Sequence, residues 1–92
     1  ADRAHIRAVA LRHPDVRAVH DLRTRSSGHD MFIQLHLEMD GQMTLMRSHA
    51  IADEVEHSVL EAYPTAEVTI HQDPAGLTEP HNPPAASAAT GP

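Results

Sequence analysis

Val68-Thr69-Ile70-His71-Gln72-Asp73-Pro74 is the stretch on which the chain turns. Three β-branched residues lead into a proline that cannot continue a hydrogen-bonded ladder, so the run reads as a β-strand with a defined end. Side chains alternate along a strand. Val68, Ile70 and Gln72 share one face, which is mostly apolar and should meet a core. Thr69, His71 and Asp73 share the other, where an imidazole and a carboxylate two residues apart could grip one divalent cation. A strand of this kind needs partners, and the rest of the chain supplies them.

Met31 to Met39 is the clearest of these partners. Ile33, Leu35, Leu37 and Met39 alternate strictly with Phe32, Gln34, His36 and Glu38. The aliphatic set must face the core, which puts His36 on the opposite face. Asp15 to Thr24 reads as a further strand, entered through a Pro14-Asp15 turn and carrying Val16, Val19, His20 and Leu22. Its alternation is imperfect, so its register stays open. Ser26-Ser27-Gly28-His29-Asp30 is a turn cluster between two strand-like runs, hence a hairpin.

Two helical patterns flank these strands. In Ala1 to His13, Ile6, Val9 and Ala10 form a stripe at i, i+3, i+4, with Asp2 as an N-cap, and Pro14 stops the helix. Thr44 to Ala62 carries Ile51, Val55, Val59 and Ala62 on one face. His5, His13 and His57 read as exposed, and His49 and Asp53 form an i, i+4 pair. The order helix, strand, strand, helix, strand predicts an α+β fold, αββαβ, with a three-stranded sheet and both helices on one of its faces. With Met31–Met39 central, His36, His71 and Asp73 share the uncovered face, and His20 sits on it or at its rim. From Ala75 the composition shifts to Gly, Pro, Ala, Ser and Thr. The division expected is therefore a domain over 1–74 and a flexible low-complexity tail over 75–92.

Composition narrows the chemistry. In 92 residues there are nine His and no Cys, so a disulfide framework and a thiolate metal site are excluded. His binds transition metals as the neutral imidazole. A net charge of -6 argues against binding nucleic acid through the overall field. No apolar run is long enough to span a bilayer. Aromatics make up 2% of the chain, so the core is small and aliphatic, and metal or oligomerisation is the expected help. Beginning at Ala1 rather than Met, the sequence is expected to be a piece of something longer.

Four strings resemble one known family. They are Val19-His20-Asp21-Leu22-Arg23-Thr24-Arg25-Ser26-Ser27-Gly28, Phe32-Ile33-Gln34-Leu35-His36-Leu37-Glu38-Met39, Ser48-His49-Ala50-Ile51-Ala52-Asp53 and Ile70-His71-Gln72-Asp73-Pro74. In order and without a gap, they resemble the cytoplasmic C-terminal domain of cation diffusion facilitators, above all the bacterial zinc- and iron-transporting branch. The resemblance implies a metallochaperone-like (ferredoxin-like) domain, paired as a V-shaped homodimer below a transmembrane domain absent from this chain. That placement is the cytoplasmic side of the bacterial inner membrane. It also implies a regulatory metal site built from His20, His36, His49, His71 and a bridging Asp73. Zn²⁺ suits such donors best, with Fe²⁺, Mn²⁺, Co²⁺ and Cd²⁺ also compatible. Binding there is expected to close the dimer and favour transport. No general base or nucleophile motif accompanies these residues, so the chain is read as not an enzyme. The rival readings are a soluble metallochaperone and a small metal-dependent hydrolase.

Overall fold

The computed structural model describes residues 2–76. It contains α1 (Asp2–Leu11), β1 (Ala18–Ser27), β2 (Asp30–Met39), α2 (Leu45–Ala62) and β3 (Ala66–Pro74). The three strands form one sheet in the order β1-β2-β3. β1 and β2 are antiparallel, and the crossover through α2 brings β3 parallel to β2. This is the αββαβ arrangement that the sequence pattern predicts. Of the expected tail, only Ala75 and Gly76 fall among the described residues; the remainder, His81 included, lies outside them.

The strict alternation of β2 fixes which face is dry. Ile33, Leu35, Leu37 and Met39 are at most 2% exposed, and they pack with Ile6, Val9 and Ala10 of α1 and with Ile51, Val55 and Val59 of α2. α1 lies against β1 and α2 against β3. The opposite face of the sheet is left without a covering layer among the described residues.

Several boundaries differ from the sequence expectation, each for a local reason. α1 ends at Leu11, and Asp2 lies in its first turn rather than serving as the cap. Residues 12–17 are spent on a turn, with Val16 N–H donating to His13 C=O at 3.1 Å, so β1 starts at Ala18 instead of Asp15. The hairpin is tighter than the turn cluster suggested. Ser26, Ser27 and Asp30 belong to the strands, and the turn needs only Gly28, at φ 63°, and His29. In α2, Thr44 is the cap rather than the first helical residue, its hydroxyl accepting from Arg47 N–H at 3.0 Å. Ala62 is exposed, and Ala52 takes the place expected for it in the buried stripe.

The imperfect alternation of β1 is a β-bulge. His20 pairs with His36 and Arg23 with Gln34, so Asp21 and Leu22 together oppose one residue of β2. Asp21 takes φ 54°, a left-handed conformation that Asp tolerates better than most residues. The extra residue lets Val19 and Leu22, three apart, both point into the core.

Candidate metal centre

Because strand side chains keep their parity, the register fixes what lines the uncovered face. Rows run across the three strands. One holds Ala18, Glu38 and Asp73, and the next holds His20, His36 and His71. Beyond the bulge come Arg23, Gln34 and Thr69, then Arg25, Phe32 and Glu67. Each strand contributes one imidazole to the histidine row, and the rings stack. Centroids of His20 and His36 lie 5.3 Å apart, and those of His36 and His71 4.5 Å apart with 12° between planes.

Asp73 reaches back to this row. Its Oδ2 accepts from His36 Nδ1 at 2.9 Å and lies 3.4 Å from His20 Nε2. One donor atom each from His20, His36 and Asp73 falls within 4.8 Å of the others. Two ligands bound at 2.0–2.1 Å to a tetrahedral ion stand about 3.3 Å apart. The pairs involving Asp73 Oδ2 are therefore close to the spacing that an ion held between these atoms requires. Two imidazoles and a carboxylate are also the donor set that borderline divalent ions prefer. These residues fit a metal ion.

Of the five residues expected at the site, four come together and one does not. His20, His36 and Asp73 converge, and His71 is exposed beside them, stacked on His36. His49 is on α2, paired with Asp53 at 3.3 Å on a surface that also carries Leu45 and Met46, 81% and 85% exposed. Gln72 faces the helical side, where its Oε1 accepts from the hydroxyl of Ser48. Two further carboxylates enter the site. Glu38 Oε2 is 3.3 Å from His20 Nε2, and Asp21 Oδ2 is 3.5 Å from His20 Nδ1. Asp73 is thus not the only carboxylate on this face. Strand parity already placed Glu38 beside His36. Asp21 carried no such signal, because a bulge residue obeys neither parity.

His5, His13 and His57 have partners away from this row. His13, expected on the surface of α1, lies past its end and is mostly covered. Its Nδ1 accepts from Asp15 N–H at 3.1 Å, so the neutral ring carries its proton on Nε2, which donates to Glu54 at 2.6 Å. His5 and His57 are exposed as expected, His57 pairing with Glu61 at 3.4 Å.

With the geometry in hand, comparison with known proteins decides the family. Residues 1–75 match the model of the cation efflux protein cytoplasmic domain. The chain belongs to this family. The cation-efflux pump FieF of Yersinia pestis is 49% identical over 76 residues, which is 83% of this chain. Those residues span only 25% of that pump, about a quarter of its length. Among solved structures, the metal-bound C-terminal domain of the CzcD transporter from Thermotoga maritima superposes with a TM-score of 0.79 at 33% identity. The match covers 85% of this chain and 92% of that one. The zinc form of the putative zinc transporter CzrB gives 0.74 at 32% identity, covering 86% and 91%. The cation efflux domain thus has the metallochaperone-like fold that the four strings implied.

Proposed function

We propose that this cation efflux domain is the cytosolic, non-enzymatic regulatory part of a divalent-cation transporter of the bacterial inner membrane. It senses a Zn²⁺-like ion on the uncovered face of its sheet. The observation that carries the reading is the convergence of His20 Nε2, His36 Nδ1 and Asp73 Oδ2 to the spacing of a coordination shell. The metal-bound CzcD domain and the zinc form of CzrB support it from their side.

Asp21, Glu38 and Asp73 give the site three carboxylates, in a chain of net charge -6. Two copies that bring these faces together repel one another. A bound cation supplies positive charge and ties β1, β2 and β3 together. His49 lies outside the cluster of its own chain, so it completes the ligand set from a second copy. Loss of the repulsion closes the dimer, and the closed form favours transport by the membrane-embedded part.

Calorimetric titration of Zn²⁺ and other divalent ions into the chain, with small-angle scattering of the same samples, tests this. Wild type binds and becomes more compact. Asp73→Ala loses more than the ~10–100-fold in affinity that outer-sphere changes typically cost, and it no longer compacts. His57→Ala behaves as wild type. Unchanged affinity in Asp73→Ala would remove the site.

A further inference from the structure

Among the described residues, His20 is the one ring of the histidine row with a carboxylate beside each of its nitrogens. Nε2 faces Glu38 Oε2 at 3.3 Å and Asp73 Oδ2 at 3.4 Å, while Nδ1 faces Asp21 Oδ2 at 3.5 Å. In the proposed site, Asp21 counts only as one of three charges. Its placement is unusual for the sequence neighbour of a ligand. Adjacent residues of a regular strand point to opposite faces, so parity would turn Asp21 to the core beside Val19. The bulge prevents that. Leu22 takes the core position, and the left-handed backbone of Asp21, at φ 54°, leaves its carboxylate next to the His20 ring. Glycine would adopt this backbone without strain. Aspartate adds to it a hydrogen-bond acceptor on the far side of the ring from the cation.

We infer that Asp21 is a positioning residue of the metal site: its carboxylate accepts a hydrogen bond from His20 Nδ1–H and holds the ring with Nε2 towards the cation. This rests on the site proposed above and assigns to it a residue that touches no metal. A neutral imidazole carries one proton, and the nitrogen that keeps it cannot bind an ion. Glu38 and Asp73 draw that proton to Nε2, the nitrogen that the cation needs. Asp21 draws it the other way. A carboxylate on the second nitrogen also makes a ligating imidazole more basic and stops the ring from turning over. The bulge therefore serves two ends with one inserted residue, seating Leu22 in the core and setting an acceptor against His20.

Asp21→Gly and Asp21→Asn test this together. Glycine and asparagine both tolerate the left-handed backbone, so both variants keep the bulge. Both lose the charge, and only Asp21→Asn keeps an acceptor. Calorimetric titration should show Zn²⁺ affinity falling about 10–100-fold in Asp21→Gly and returning most of the way in Asp21→Asn. A proton–nitrogen correlation spectrum of the Zn²⁺-loaded protein reads the contact itself. The His20 Nδ1–H signal should exchange slowly with water in wild type and Asp21→Asn, and fast in Asp21→Gly. Urea unfolding of the metal-free chains should give all three similar midpoints, which separates positioning from folding. Wild-type affinity in Asp21→Gly overturns the role and leaves the site standing. Equal losses in the two variants, with equal exchange rates, also overturn it, because Asp21 would then act by charge alone. A wild type that binds no Zn²⁺ removes the site and this role with it.

Discussion

At the scale of single residues, protonation patterns separate structural histidines from candidate ligands. His13 Nδ1 is occupied by the Asp15 N–H, and its Nε2 proton holds Glu54. A cation on Nε2 would force a proton onto Nδ1, against a backbone donor. His13 is accordingly a clasp between the α1–β1 turn and α2. His13→Ala should cost about 1–2 kcal/mol in urea unfolding and leave Zn²⁺ affinity unchanged. Tyr63 gives a second readout. Its hydroxyl donates to Asp2 at 3.4 Å and accepts from His5 Nδ1 at 3.0 Å. Desolvation first, and then the neighbouring Asp2 carboxylate, raises the phenol above its ordinary value. A raised value in the folded state means that the neutral phenol favours folding. That contribution is complete below the unfolded phenol's range and is lost as pH rises through the folded one. Ultraviolet titration of the only tyrosine should show a midpoint above that of a free phenol, and Asp2→Asn should lower it. Neither contact was legible in the sequence, since both join residues more than forty positions apart.

At the scale of elements, periodicity was readable wherever it was uninterrupted. β2 and β3 follow parity throughout, and from them the face shared by His36, His71 and Asp73 could be derived before any coordinates. β1 could not be placed the same way, because Val19 and Leu22 are an odd number of residues apart and only an inserted residue reconciles them. That insertion, at Asp21, is what sets His20 in the row with His36. Asp21→Val should cost roughly 1–2 kcal/mol from its left-handed backbone, whereas Asp21→Gly should fold nearly as well as wild type. Denaturant midpoints compare the two. The helix ends were also partly hidden. Thr44 has the chemistry of a cap, but only the accepted Arg47 N–H distinguishes a cap from a first helical residue.

At the scale of the molecule, a cation held by three strands stabilises only the folded state. At a free concentration of 100 times Kd, that linkage adds about 2.7 kcal/mol. For a domain of this size, the gain corresponds to roughly 10–20 °C in Tm. Thermal unfolding with and without Zn²⁺ should show that rise in wild type and not in Asp73→Ala. A Tm that ignores Zn²⁺ would leave the site without a role in the folded state. The histidine row has one more consequence, which concerns synthesis. Its rings come from the first, second and last strands, and the last docks only after α2 has crossed over to lay it parallel to β2. A nascent chain that has not reached His71 carries two of the rings and no complete site. On the proposed function, the site therefore forms only after β3 has been made and has docked, and it reports on zinc only from that point of folding.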